Sequence, residues 1–268
     1  MSKKAFENAI DLPFYIQGEN EPLLMIHGII SSADFFNGIS DCLKKDFKMI
    51  SYDRRGYGLS EQENIKDFTV SSQAEDAAKI LSENVKEPAW IFGNSAGGLI
   101  AIELALKYPE LVRGLILMEP SLAFDDESKT MIAEWNSELN GYVQAKKIKK
   151  ALPAFSRVIG NENEKKESVT LSEMKQTYKN LSNFMFGELN EVQNYRPEKT
   201  DVKSMDVPVV IYVTEDGVES IFAKTSLNGA KELEWKVEMI PGYHNTVKEN
   251  PLEISKYIKK TIDEMREL

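Results

Sequence analysis

A serine between glycines is the first residue whose surroundings indicate chemistry. Ser95 stands in the segment GNSAG (93–97), which has the form G-x-S-x-G. The apolar run AWIF (89–92) predicts a strand before it, and GGLIAIELALKY (97–108) predicts a helix after it. Such a turn lifts a serine hydroxyl out of the edge of a sheet, so we predict that Ser95 is a nucleophile. The alternative is an ordinary tight turn with a capping serine.

A serine nucleophile needs a base, and the sequence offers only two histidines, His27 and His244. His244 ends the segment PGYH (241–244), between an apolar run at 235–240 and an amphipathic helical pattern at 252–266. Histidine titrates near neutral pH, so it can take the proton of the serine and return it to the leaving group. We predict that His244 is the general base.

The other histidine belongs to a different loop. His27 follows the apolar run LLMI (23–26), and we interpret it as a structural residue that organises the loop through hydrogen bonds. The backbone N–H groups of Ile29 and Ala96 are the expected oxyanion hole. Donors fixed in this way stabilise the negative charge that develops on a carbonyl oxygen under attack.

Short apolar runs alternate with helical patterns along the chain. This order predicts an α/β fold, with a mostly parallel central sheet covered by helices on both faces. Ligands of such sheets bind at the carboxyl ends of the strands, where the candidate residues above also fall. The runs that predict strands are 23–26, 47–52, 89–92, 115–118, 209–213 and 235–240.

Residues 121–203 interrupt this alternation. They are rich in lysine, glutamate, asparagine and serine and contain helical patterns at 131–139, 142–148 and 171–186, without a convincing strand. We therefore predict a core domain made of 1–120 and 204–268, with a helical insertion at 121–203.

Composition limits the classes of partner and location. The net charge is −10 and the pI about 5.0, which argues against nucleic acid or an anionic membrane as a partner. No signal peptide or membrane-spanning run is apparent, and Cys42, the single cysteine, is expected to be an ordinary helix residue. We expect a cytoplasmic protein that needs no cofactor. We also expect no metal, since no HExxH spacing occurs.

Four segments together resemble the α/β-hydrolase family from about residue 20 to the C-terminus. They follow in the order of the family: His27-Gly28, YDRRGYGLS (52–60), the elbow at 93–98, and PGYH (241–244) followed by Glu249-Asn250-Pro251. The resemblance implies hydrolysis by serine and histidine without a cofactor, with a helical cap at 121–203. Haloalkane dehalogenases and epoxide hydrolases share the fold but carry aspartate in place of the serine.

The acid behind the histidine has two candidates under this resemblance. The family usually places it after the strand here written PVVIYV (208–213), where Asp216 falls one residue short of the usual spacing and Glu215 is a weaker choice. Some members take the acid from the end of the preceding strand, which here is Glu119. Glu119 is slightly favoured over Asp216, and both remain open.

The expected activity is that of a carboxylesterase on a small or medium acyl ester, through an acyl-enzyme on Ser95. Asn94 before the serine is similar to the elbow of hydrolases that cleave carbon–carbon bonds in ring-cleavage products, which is one alternative. A non-catalytic ligand-binding or signalling protein is another, and a metal-dependent hydrolase a third. The small-molecule substrate is expected to meet Phe35, Phe36, Asn94 and Trp135, in a monomer or homodimer.

Overall fold

The computed structural model describes residues 6–60, 65–147, 150, 151, 153, 155 and 171–267. Within these residues seven strands form one sheet, in the order β1-β3-β2-β4-β5-β6-β7. β1 pairs antiparallel with β3, and every other pair of neighbours is parallel. The strands are β1 (Phe14–Gln17), β2 (Glu21–Ile26), β3 (Phe47–Tyr52), β4 (Ala89–Asn94), β5 (Val112–Met118), β6 (Val209–Thr214) and β7 (Lys236–Ile240).

Apolar side chains pack on both faces of the sheet. Alternate residues of each strand point to opposite sides, so each strand contributes to both layers. Leu24 and Ile26 of β2 belong to one apolar cluster, together with residues of α2 (Val70–Asn84), α3 (Ala96–Lys107) and α8 (Ile221–Leu233). Leu23 and Met25 belong to a second cluster, with residues of α1 (Asn37–Leu43) and α10 (Pro251–Met265). The α/β fold predicted from the apolar runs is therefore confirmed.

The helices of this core follow the predicted alternation closely. Thr69 caps α2 by accepting a hydrogen bond from the Ser72 N–H, and Ser220 caps α8 in the same way from Ala223. Cys42 lies in α1, as expected. These helices are α1 (Asn37–Leu43), α2 (Val70–Asn84), α3 (Ala96–Lys107), α8 (Ile221–Leu233), α9 (Thr246–Glu249) and α10 (Pro251–Met265).

Helices also lie between β5 and β6. Those whose bounds the described residues give are α4 (Asp126–Gln144), α5 (Leu171–Asn183), α6 (Leu189–Asn194) and α7 (Lys199–Lys203), and a π-helical turn at Phe184–Glu188 joins α5 to α6. The pattern at 131–139 and the first three residues of the pattern at 142–148 fall on one helix, since α4 runs through Gly141 to Gln144. Residues 145–147 follow the end of α4, and Ile148 lies outside the described residues. The division of the chain into two domains stays a prediction.

A third apolar cluster joins these helices to the end of the sheet. Trp135 of α4, Leu181 of α5 and Phe184 of the π-helical turn pack with Ile29 and Ala96. The candidate oxyanion residues therefore lie against the inserted helices. None of the helices in the described part of the chain is both long and apolar enough to cross a membrane.

Candidate active site

Ser95 occupies a sharp turn between β4 and α3. Its backbone angles are φ 53° and ψ −122°, a strained combination for a residue with a side chain. Bulk is excluded on both sides of it: a Cβ atom on Gly97 would lie 2.1 Å from the carbonyl oxygen of Ile26, and one on Gly93 would lie 2.7 Å from that of Gly97. The spacing of the glycines thus follows from the close approach of α3 to the strands.

Ser95 also lines a cavity between the sheet and the inserted helices. The space there amounts to about 420 Å³, part of which is open solvent. Ile29 and Ala96 line it beside the serine. No described residue hydrogen-bonds to the Ser95 hydroxyl in this structure.

Glu119 and His244 are in direct contact. Oε2 of Glu119 accepts a hydrogen bond from Nδ1 of His244, while Oε1 accepts from the N–H and the hydroxyl of Thr214, at 2.9 and 2.6 Å. The Glu119 side chain is fully buried. A carboxylate held by two donors of Thr214 cannot turn away, so it fixes the imidazole with Nε2 free to act as a base.

The other candidate acids lie elsewhere. Asp216 is exposed, and its Oδ2 accepts a hydrogen bond of 3.1 Å from the N–H of Gly242 in the histidine loop. Glu215 is exposed as well. The structure therefore brings Glu119 to His244 and leaves Asp216 as a brace of the loop. Glu119 directly follows β5, whereas Asp216 lies two residues beyond the end of β6 and accepts from Gly242.

The backbone around Glu119 is unusual. Glu119 has φ 43° and Ser121 has φ 56°, both in the left-handed region that residues with side chains rarely adopt. Pro120, between them, packs so closely on α3 that a Cβ atom on Gly98 would lie 2.7 Å from its own. Strain of this kind gathers at functional sites, where the surrounding structure imposes it.

An aromatic ring covers one face of the histidine. The Phe222 ring stacks on the imidazole of His244, with centroids 5.0 Å apart and an angle of 29° between the planes. Phe222 also lines the cavity with Ser95. One face of the imidazole is therefore covered by an apolar ring.

His27 holds the peptide that joins Gly28 to Ile29. Its Nε2 accepts a hydrogen bond of 3.0 Å from the N–H of Arg54, so the proton lies on Nδ1, which donates to the Gly28 carbonyl at 2.8 Å. Burial and the nearby Arg54 guanidinium hold the pKa of His27 well below its usual value. A neutral His27 thus orients the peptide whose other end is the Ile29 N–H.

Arg54 strengthens this arrangement and was not singled out from the sequence. Its Nη2 donates to the Gly28 carbonyl at 2.9 Å, and its Nη1 pairs with Glu188 of the π-helical turn. Both side chains of the ion pair are fully buried, and Gln73 and the Tyr57 hydroxyl also donate to Glu188. No local pattern could reveal this pair, since 134 residues separate its members.

One of the four predicted pocket residues lines the cavity, and the other three lie outside its described lining. Trp135 lines the cavity, whereas Phe35, Phe36 and Asn94 are absent from the lining formed by the described residues. Packing accounts for the placement of the two phenylalanines: Phe36 meets Phe92 of β4 edge-on at 6.0 Å, and Phe35 packs on Phe36 at 5.2 Å, under one face of the sheet. Asn94 is buried at the end of β4.

The described side chains that could bind a metal are not grouped together. Among the residues that the structure describes, no group of three or more histidine, cysteine, aspartate or glutamate side chains could hold a metal ion. His27 and His244 are instead engaged with Gly28 and Glu119.

The family model of the α/β-hydrolase fold matches residues 21–251 of this chain. The chain belongs to the α/β-hydrolase family. Among curated relatives, the uncharacterized hydrolase YraK of Bacillus subtilis is 31% identical over 113 residues, which are 42% of this chain and 42% of that protein. An uncharacterized Mycobacterium bovis protein is 34% identical over 39% of this chain and 30% of its own. The chain thus spans less than half the length of these relatives.

Solved structures resemble the chain over nearly its whole length. A thermophilic esterase from Thermogutta terrifontis, with malate bound, has a TM-score of 0.68 at 20% identity and covers 95% of this chain and 93% of its own. E-2-(acetamidomethylene)succinate hydrolase has a TM-score of 0.68 at 20% identity and covers 94% and 95%. At these identities the likeness establishes the fold alone.

Proposed function

We propose that this protein is a serine hydrolase that cleaves carboxylic esters through an acyl-enzyme on Ser95. The observation that carries the proposal is the buried contact between Glu119 and Nδ1 of His244, beside a cavity that Ser95 lines in a strained turn. That constellation of acid, base and nucleophile is the one that acyl transfer requires.

The first half of the reaction forms the acyl-enzyme. The Ser95 hydroxyl attacks the ester carbonyl carbon as Nε2 of His244 takes its proton. Glu119 stabilises the positive imidazolium that results, while it keeps its own charge. The tetrahedral intermediate then collapses, the carbon–oxygen bond to the alcohol breaks, and the alcohol leaves with the proton from His244.

The second half restores the enzyme. Water loses a proton to His244 as it attacks the acyl carbon, and the bond to Ser95 Oγ breaks with return of that proton to the serine. One ester and one water thus give one acid and one alcohol.

The negative oxygen of each intermediate needs donors. In the proposal these are the N–H groups of Ile29 and Ala96; the latter is the first residue of α3, where no intrahelical acceptor exists. The positive end of the α3 dipole lies at the same point and favours the same charge. His27 and Arg54 hold the Gly28 carbonyl, so the peptide that carries the Ile29 N–H is fixed before substrate arrives.

Two of the structural neighbours support this choice by name, since one is an esterase and another a hydrolase. The expected location in the cytoplasm and the monomeric or dimeric state stay predictions.

The activity is tested with p-nitrophenyl esters of increasing acyl length, beside a ring-cleavage product analogue. We expect turnover of short and medium esters, its loss in Ser95→Ala, and its retention in Ser82→Ala, whose serine lies exposed on α2. If the protein turned over the ring-cleavage analogue and none of the esters, the proposed substrate would be a ring-cleavage product and not an ester. Activity that survives Ser95→Ala would reject the serine mechanism.

A further inference from the structure

Two buried hydrogen-bond donors in the cavity wall have no partner in the described part of the chain. Nε1 of Trp135 and Nε2 of Gln193 are both buried and hydrogen-bond to none of the described residues, although both side chains line the cavity with Ser95. A buried donor without an acceptor costs stability, so native proteins seldom keep one without a use. Two such donors in the wall of one cavity indicate a ligand with acceptor oxygens.

A positive charge lies in the same wall. Arg196 lines the cavity from just after α6 and is exposed at its rim. Its guanidinium donates a hydrogen bond of 2.7 Å to the carbonyl oxygen of Tyr195, and no carboxylate of the described residues pairs with it. Partial burial lowers the pKa of Arg196, yet a guanidinium stays charged at neutral pH.

The rest of the described lining carries no charge. It is mostly apolar, with Leu99, Ile132, Phe184 and Phe222 among its members, and it includes no acidic side chain. Arg196 is therefore the one formal charge in the described lining. This contrasts with a chain whose net charge is −10, which would repel an anion without a local cation.

We propose that the cavity binds an ester that bears a carboxylate at the end remote from the scissile bond, such as a half-ester of a dicarboxylic acid. This inference rests on the proposed function. Arg196 pairs with the carboxylate, Trp135 and Gln193 donate hydrogen bonds to its oxygens or to those of the ester, and the apolar wall contacts the methylene chain. A planar guanidinium suits a carboxylate because it can donate two parallel hydrogen bonds.

The kinetic test compares two esters that differ at one end only, monoethyl glutarate and ethyl pentanoate. We expect kcat/KM of the wild-type protein to favour the glutarate half-ester about tenfold, the range of a charge-assisted hydrogen bond. Arg196→Met should lower that ratio about tenfold, mainly through KM, and Arg196→Lys should keep part of it. Gln193→Leu should lower the ratio by a smaller factor.

The matched control is Lys199→Met, because Lys199 is a nearby cation that pairs with Glu232 outside the described lining. Its ratio should equal that of the wild-type protein. An equal preference for the two esters in the wild-type protein, or an unchanged ratio in Arg196→Met, overturns the carboxylate site.

A binding measurement separates this inference from the proposed function. Calorimetry on Ser95→Ala with monoethyl glutarate should show binding that ethyl pentanoate does not match and that Ser95→Ala/Arg196→Met loses. Such binding by Ser95→Ala, together with a wild-type protein that hydrolyses no ester, would uphold the carboxylate site and reject the esterase. Ester hydrolysis by the wild-type protein without any binding preference for the half-ester would uphold the esterase and reject the carboxylate site.

Discussion

The carboxylate of Glu119 faces Nδ1 of His244 across 125 residues of sequence, and the backbone and hydroxyl of Thr214 hold its second oxygen. Three strands supply these groups, since Glu119 follows β5, Thr214 ends β6 and His244 follows β7. Parallel strands bring their carboxyl ends to one edge, so residues remote in sequence converge there.

This contact predicts unequal effects of two carboxylate substitutions. Glu119→Gln should lower kcat on an ester substrate by about three to four orders of magnitude, because the imidazole loses its orientation and the partner of its charged form. Asp216→Asn should leave kcat within about threefold, since Asp216 braces only the backbone of Gly242. Steady-state kinetics on both variants decides the matter, and comparable losses would contradict the assignment of the acid.

The buried pair of Arg54 and Glu188 predicts a stability effect. Glu188→Gln should lower the free energy of unfolding by about 3–5 kcal/mol, because a buried guanidinium is left without its counter-charge. The double variant Arg54→Met/Glu188→Gln should recover part of the loss, since it removes both charges. Urea denaturation measures these values, with Glu191→Gln on the exposed side of α6 as the control. A double variant less stable than Glu188→Gln would refute the account.

The buried neutral His27 predicts how stability depends on pH. Its pKa in the folded protein lies well below the usual value of 6.5, so the unfolded chain binds a proton first as the pH falls. The contribution is complete above about pH 6.5 and is lost below it, at about 1.4 kcal/mol per pH unit. Urea denaturation at pH 7.5 and 5.5 should show this decline in the wild-type protein and a flatter dependence in His27→Asn. Identical dependences would place the pH effect elsewhere.

Replacement by alanine should change the stability of the protein in opposite directions at two glycines. Gly97→Ala should destabilise the protein by about 3 kcal/mol or more, since its Cβ atom would meet the Ile26 carbonyl oxygen at 2.1 Å. Gly141→Ala should stabilise it by about 0.5–1 kcal/mol, since Gly141 is exposed within α4 and has open space around it. Thermal denaturation of both variants checks the signs, and destabilisation by Gly141→Ala would count against the helix there.

The core of the fold was predictable because its strands are buried on both faces and read as continuous apolar runs. β1 was not, since its FYIQ sequence is short and its first three side chains are exposed. The elbow around Ser95 was predictable from glycines that steric contact requires.

The acid and the pocket were harder to predict for a different reason. Counting residues along β6 misses Asp216 by one residue, which leaves Glu119 slightly favoured and Asp216 open. The choice depends on which strand end faces His244 in three dimensions. Phe35 and Phe36 follow the oxyanion loop in sequence, yet they turn under the sheet. Glu188 meets Arg54 only through the π-helical turn, which has no sequence signature here.

The most direct test of the central claim is covalent labelling with a fluorophosphonate probe, followed by mass spectrometry of the peptides. The account predicts a single modified residue, Ser95, with labelling abolished in Ser95→Ala and strongly slowed in His244→Gln and Glu119→Gln. Absence of labelling in the wild-type protein, or labelling that persists at another residue in Ser95→Ala, would contradict it.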